Sequence, residues 1–427
     1  MKPKERPPAF VYRGAKKSTV LHCEAVPLDR LAERFGTPLY VYSATTIRER
    51  FRTFDEAFSK TPHTICYSVK ANSNLSILRL LARLGCGFDV VSGGELERVL
   101  RVDRQAAKKV VFSGVGKTED ELKDALKAGI LLFNVESESE LELLSSCASR
   151  LKKTAQIALR VNPDVSAETH PYISTGLHKH KFGVPIQQAR NLYVLAAQSS
   201  YLRTAGVSVH IGSQITDVSP FAAAMERVAE LIRALREQGH QIKYVDAGGG
   251  LGITYRDEAL PDLATQAAAY AEALAAPLRA LNVHLLLEPG RSIVGPAGLL
   301  LTRVVYKKTN NGKKFLIVDA AMNDMIRPSL YEAYHEIVPV QAVATSSEVT
   351  DVVGPICETG DFFARDRELP VANEGDLLAL LDAGAYGMVL TSNYNTRPRP
   401  SEILVDRKSV SVIRRRERVS DLMRLER

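Results

Sequence analysis

The sequence predicts a (β/α)₈ TIM-like barrel joined to an all-β domain, and three observations carry that reading. From about residue 64 to residue 288, short β-branched or apolar runs alternate with amphipathic helical stretches, the pattern of a parallel sheet wrapped by helices. Eight such runs can be counted, the number a closed barrel requires. After Arg291 the pattern changes to alternating strands with hairpin signals. A chain of 427 residues also exceeds what one small core accommodates, so two folded units are expected.

Taken in order, strands are predicted near Ile65 to Val69, Gly87 to Val91, Lys109 to Ser113, Ile130 to Val135, Ala155 to Val161, Gly206 to Ile211, Ile242 to Val245 and Val283 to Leu287. A helical segment precedes them, from Ser43 to Ser59. Between the sixth and seventh runs, Phe221, Met225, Val228, Ile232 and Leu235 recur in steps of four and three, which places them on one helix face. Gly239 then stops that helix. Beyond the barrel, Asn311-Gly312 separates Leu301 to Lys307 from Lys313 to Val318, a hairpin signal. The stretch from Val11 to Tyr42 has no barrel partner. The expected division is therefore residues 1–42 joining the β domain, 43–290 forming the barrel and 291–427 forming the C-terminal β domain. No internal repeat or low-complexity block stands out.

Composition narrows the function. Hydrophobic residues make up 45% and charged residues 25%, as in ordinary folded proteins. The net charge is +7, but residues 1–17 and 407–427 each carry +5, which leaves the body of the chain at −3. A body without basic excess argues against nucleic acid as a partner. No segment approaches the ~20 apolar residues of a membrane span, and the charged, proline-rich start has no signal-peptide core. The five cysteines, at 23, 66, 86, 147 and 357, are odd in number and lack CxxC spacing. That argues against disulfides or a zinc knuckle and favours a reducing, cytoplasmic location. His178 and His180 have no Cys or carboxylate cluster beside them, so no metal is expected.

In such a barrel reactive groups come from the C-terminal ends of the strands. Those ends are polar here. The first ends in Tyr67-Ser68-Val69-Lys70-Ala71-Asn72, the second carries Asp89 before Ser92-Gly93-Gly94-Glu95, and the sixth ends in His210-Ile211-Gly212-Ser213-Gln214. The seventh runs into Asp246-Ala247-Gly248-Gly249-Gly250, and the eighth into Glu288-Pro289-Gly290-Arg291. Gly248 to Gly250 would let a phosphate approach backbone N–H groups, with Ser213 and Arg291 as further donors; a mere tight turn is the competing reading. Lys70, at a crowded mouth, would be nucleophilic if burial discharged its amine. With Glu288 in the same mouth, the set suits pyridoxal phosphate: an amine to carry it and a carboxylate for its ring nitrogen. His210 could stack on the ring or be structural, and Asp89 could orient Lys70 or His210, or cap a helix.

Read together, FGTPLYVY, YSVKAN, FDVVSGGE, HIGSQ, DAGGGLG, EPGRSIVG, MNDMIRPSLY, GPICETGD and DAGAYG resemble, in this order and from about Leu28 to Val405, the alanine-racemase-like, fold-type III pyridoxal-phosphate enzymes. Within that family the motifs are most similar to the branch that converts meso-2,6-diaminopimelate to L-lysine and CO₂. The resemblance implies that Lys70 carries the cofactor, His210 packs on its ring and Glu288 meets its nitrogen. It places Asp89, Ser213, Gly248, Gly249, Gly250, Pro289, Gly290, Arg291 and Tyr386 around the cofactor. It assigns substrate contacts to Arg291, Arg327, Tyr331, Glu358 and Tyr386, makes Cys357 the proton donor, and implies a homodimer with shared sites. CETGD departs from the family in having threonine where serine is common. A decarboxylase of ornithine, arginine or a carboxylated polyamine is the nearest alternative; those substrates lack the distal carboxylate that a cation such as Arg327 would bind. A non-catalytic cofactor carrier would keep Lys70 but have no use for Arg327, Tyr331, Cys357 and Glu358.

Overall fold

The computed structural model describes residues 9–14, 19–165, 181–256, 260–342 and 346–426; His178 and His180 lie outside them. It divides into two compact units. One runs from Arg50 to Ile253 and from Leu260 to Ser292; the other comprises the residues up to Glu49, a short segment from Thr254, and the residues from Ile293 onward.

The first unit is the expected barrel. Its strands are His63–Ser68, Gly87–Val90, Val110–Phe112, Leu132–Val135, Ala155–Asn162, Leu202–Ser208, Tyr244–Asp246 and His284–Leu287. Each pairs in parallel with the next, and the eighth pairs with the first through Leu285 and His63, which closes the sheet. A two-residue strand, Val184–Pro185, adds to the fifth. Buried apolar side chains line the strands because both faces are covered, by helices outside and packed side chains inside. Helix Ser219–Glu237 buries Phe221, Met225, Val228, Ile232 and Leu235 on one face, as their spacing predicts. Each such side chain contributes roughly 1.5–3 kcal/mol. The barrel's inner polar layer lies at the C-terminal ends of the strands, where Ser68, Asp89, Ser113, Asn134, Ser208, Asp246 and Glu288 are all buried.

The second unit is a mixed sheet in which N-terminal and C-terminal strands interleave. Strand Leu39–Ser43 pairs antiparallel with Gly298–Asn310 and parallel with Ser401–Asp406. Its alternation splits the two faces. Leu39 and Val41 join Leu299, Leu301, Ile403 and Val405 in one hydrophobic core, while Tyr40 and Tyr42 stack at 6.1 Å between ring centroids. The two phenols are satisfied: Tyr40 donates to the Asp324 carbonyl at 2.7 Å and Tyr42 to Glu402 at 2.9 Å. The predicted hairpin forms, with Asn311 and Gly312 at φ 47° and 82° between Gly298–Asn310 and Lys313–Val318. Among the described residues no helix is long and apolar enough to cross a membrane.

Candidate active site

Lys70 sits on a short 3₁₀ turn, Val69–Ala71, directly after the first barrel strand. Its Nζ lies 3.0 Å from Asp89 Oδ2, and its side chain is 35% exposed. The amine's environment is therefore an ion pair with Asp89 rather than a desolvating mouth alone, and a carboxylate neighbour favours the charged form. Asp89 is fully buried and also accepts from Ser68 Oγ at 2.6 Å. Burial pushes its carboxyl up, but the Lys70 charge and the hydrogen bonds outweigh it and hold the group below the usual carboxylate range. The helix-cap reading fails because Ser92 caps the following helix, accepting from the Glu95 N–H at 3.3 Å.

Across the mouth, Glu288 accepts from Ser113 Oγ at 3.2 Å. Burial first, then the nearby carboxylates of Asp246 and Asp89, push its carboxyl well above the usual range. His210 takes the opposite course: burial, reinforced by the positive charges of Arg160 and Lys70, lowers its imidazole to about 3. The ring is thus neutral, and its Nδ1 accepts from the Gly249 N–H at 3.2 Å, which leaves the proton on Nε2.

Two of the three glycine amides expected to cradle phosphate are already used inside the protein. The Gly248 N–H donates to Asp246 Oδ1 at 3.0 Å, and that of Gly249 to His210. The glycines are nevertheless obligatory. A Cβ on Gly249 would lie 2.2 Å from the Glu288 carbonyl oxygen, and one on Gly250, at φ +110°, would lie 2.4 Å from that of Gly212. The tight-turn reading thus describes this loop, and a phosphate there would meet fewer glycine amides than three. Ser213 Oγ accepts from Arg291 Nη2 at 3.2 Å, and Arg291 is buried at the start of a one-turn helix. Pro289 accepts from the Ser68 N–H at 3.1 Å, and Gly290 packs against Ser68 and Ala71, so the EPGR turn lies beside the Lys70 turn.

The barrel unit therefore gathers Lys70, Asp89, His210, Ser213, Gly248 to Gly250 and Glu288 to Arg291. The β unit holds Arg327, Tyr331, Cys357, Glu358 and Tyr386. Arg327 is buried; its Nε donates to His335 Nε2 at 3.2 Å and its guanidinium lies 5.3 Å from the Tyr255 ring centre. His335 Nδ1 in turn donates to the Leu381 carbonyl at 2.8 Å, which fixes its tautomer. Tyr331 closes the five-residue helix Arg327–Tyr331. Cys357 and Glu358 are exposed, and Glu358 accepts from the Tyr394 hydroxyl. Asp361 shapes their loop by accepting from the Ile356 and Met322 N–H groups at 2.7 Å each. Tyr386 adopts φ 56° in the DAGAYG turn and is half-buried.

Sequence reasoning missed Ser113, Asn134, Asp246, His335 and Asp361. A signal existed for two of them. Asn134 is a lone polar residue within Leu131-Leu132-Phe133-Asn134-Val135, and Asp246 opens the glycine run. Among the described residues no cluster of three or more His, Cys, Asp or Glu could hold a metal ion.

A paired amine, a buried carboxyl group and a neutral imidazole at the strand ends, with Ser213 and Arg291 as anion donors, fit pyridoxal phosphate. The family model for the pyridoxal-binding domain of pyridoxal-dependent decarboxylases matches residues 44–295. Fold and site together define a barrel-type, pyridoxal-phosphate-dependent decarboxylase. The diaminopimelate decarboxylase of Pseudomonas aeruginosa is 52% identical over 413 residues, 97% of each chain. That of Neisseria meningitidis serogroup A is 51% identical over 94% of this chain and 98% of its own. The crystal structure of the Helicobacter pylori diaminopimelate decarboxylase complexed with L-lysine superposes with a TM-score of 0.89 at 42% identity, covering 93% of this chain and 99% of that one. The M. jannaschii enzyme in complex with L-lysine gives a TM-score of 0.91 at 40% identity, with 98% of both chains covered. The chain belongs to the diaminopimelate decarboxylase family.

Proposed function

We propose that this enzyme removes CO₂ from meso-2,6-diaminopimelate to give L-lysine, the last step of lysine biosynthesis, with pyridoxal phosphate carried on Lys70. The observation that carries this reading is the Lys70–Asp89 pair facing the same mouth as His210 and Glu288, in a chain 52% identical to a diaminopimelate decarboxylase along nearly its whole length. Bound pyridoxal phosphate supplies the electron sink for the carbanion that loss of CO₂ leaves behind. The protein's part is positional and electrostatic. Asp89 aims the Lys70 amine, neutral His210 packs on the ring without adding charge, and Glu288 meets the ring nitrogen and keeps it protonated. Ser213, Arg291 and the loop from Gly248 to Gly250 receive the phosphate, with Tyr386 at its margin. Arg327, with Tyr331, binds the substrate's distal carboxylate, for which a planar guanidinium held between His335 and Tyr255 is suited.

The working assembly in this reading is a homodimer in which Cys357 and Glu358 complete the partner's site. Their exposure in a single chain supports it, and a thiol is a group that can hand a proton to the carbanion. The cytoplasm suits all five free thiols, at Cys23, Cys66, Cys86, Cys147 and Cys357. CO₂ release from purified protein supplied in turn with meso-diaminopimelate, ornithine, arginine and carboxynorspermidine tests the substrate. Turnover of the first alone is expected; turnover confined to any of the others overturns the reading.

A further inference from the structure

Behind Glu288 lies a chain of polar groups that the decarboxylation scheme above does not use. Ser113 Oγ, which donates to Glu288 Oε1 at 3.2 Å, accepts from Asn134 Nδ2 at 3.0 Å. The same amide nitrogen donates to Asp246 Oδ2 at 2.5 Å, and Asp246 is held further by the Gly248 N–H at 3.0 Å and by Ser208 Oγ at 3.4 Å. Asn134 Oδ1 is buried and has no hydrogen-bond partner among the described residues. The amide thus commits its donor end to the acid side, at the cost of an unsatisfied acceptor. Asp246 and Glu288 are also within hydrogen-bonding reach of one another. Asn134 and Ser113 thus join the two acids in one buried dyad.

We propose that Asp246 is a positioning residue for the reaction, acting through Glu288, with Asn134 and Ser113 as the bridge that locks the dyad behind the cofactor's ring nitrogen. The proposal rests on the reading that Glu288 faces that nitrogen. Burial pushes the Asp246 carboxyl upward, and whatever negative charge it carries favours the protonated forms of Glu288 and of the nitrogen it faces. The other titratable groups near the dyad do not substitute for it. Asp89 is committed to Lys70, and His210 is neutral. Burial pushes the Cys66 thiol and the Tyr270 phenol upward, so neither carries charge.

The test is ¹⁵N NMR of holoenzyme loaded with ring-¹⁵N pyridoxal phosphate, titrated from about pH 6 to pH 9. In the wild type the ring nitrogen should stay protonated throughout. In Asp246→Asn its apparent pKa should fall by about one unit or more, a tenfold easier deprotonation, and Ser113→Ala should shift it the same way by less. Glu288→Gln is the control: if it leaves the nitrogen unchanged, the assignment of Glu288 itself fails. If Glu288→Gln shifts the nitrogen while Asp246→Asn does not, the dyad proposal is overturned, even if cofactor binding weakens, because a merely structural Asp246 would alter affinity without altering protonation. Should Asp246→Asn fail to fold, Ser113→Ala decides: an unshifted nitrogen in that variant overturns the proposal.

Discussion

Lys70 and Arg327 exemplify two ways a single cation is prepared for its task. Lys70 is aimed by one buried carboxylate at 3.0 Å and stays partly open to solvent, as an amine that must meet an incoming carbonyl requires. Replacing it by alanine should abolish the visible absorbance and borohydride-reducible attachment of bound cofactor and lower turnover by several orders of magnitude, with the fold intact. Near-normal activity with a retained covalent link would show that another residue carries the cofactor. Arg327 is instead buried and pinned through Nε to His335, which holds its planar guanidinium in one orientation. Arg327→Ala should raise KM for diaminopimelate by roughly ten- to a hundredfold, the equivalent of about 1.5–3 kcal/mol for a charge-assisted contact, with little change in cofactor affinity. An unchanged KM with poor cofactor retention would move Arg327 to the phosphate.

Among the barrel's elements, the turn before helix Glu119–Ala128 shows how a strand end is kept rigid. Lys117 is 1% exposed and uses all three of its N–H groups, each at 2.7 Å: to the Gly114 carbonyl, the Asn134 carbonyl and Glu140 Oε1. Thr118 then starts the helix with a capping box closed by Glu121. This buried pair fixes the backbone of Asn134, whose side chain bridges to Asp246. Lys117→Met should cost about 3–5 kcal/mol, because it strands the Glu140 charge away from water. Urea denaturation checks this: the midpoint should fall with an unchanged slope, and a loss under about 1 kcal/mol would mean that Glu140 simply takes up a proton.

For the whole molecule the decisive question is whether a site is built by one chain or two. A closed two-fold dimer presents two identical shared sites. Mixing Lys70→Ala chains with Cys357→Ala chains under subunit exchange should then restore about a quarter of wild-type activity, since half of the dimers are mixed and each mixed dimer has one intact site. Absence of recovery, with mixed dimers demonstrated by mass, would place each site within a single chain.

Much of the architecture was legible because burial on a barrel leaves a one-dimensional trace. Each of the eight predicted runs overlaps an observed strand, and the face read from Phe221 to Leu235 is the buried face. The sixth strand begins four residues before the predicted Gly206, at Leu202, because an irregularity between Thr204 and Gly206 lets Leu202 and Arg203 pair with Ala155 and Gln156. No periodicity announces such a bulge. Candidate reactive residues could be named as well, because motifs at strand ends single out the groups. What the sequence could not state was the partner of each group. Asp89, which the sequence leaves open between Lys70 and His210, meets Lys70, two glycine amides turn inward to Asp246 and His210, and Glu288 is reached from Asn134 through Ser113. Those contacts join residues separated by up to 175 positions. Local sequence determines which face of a strand a side chain takes, but only closure of the barrel decides which other strand's side chain it meets, and that meeting sets charge, tautomer and proton position.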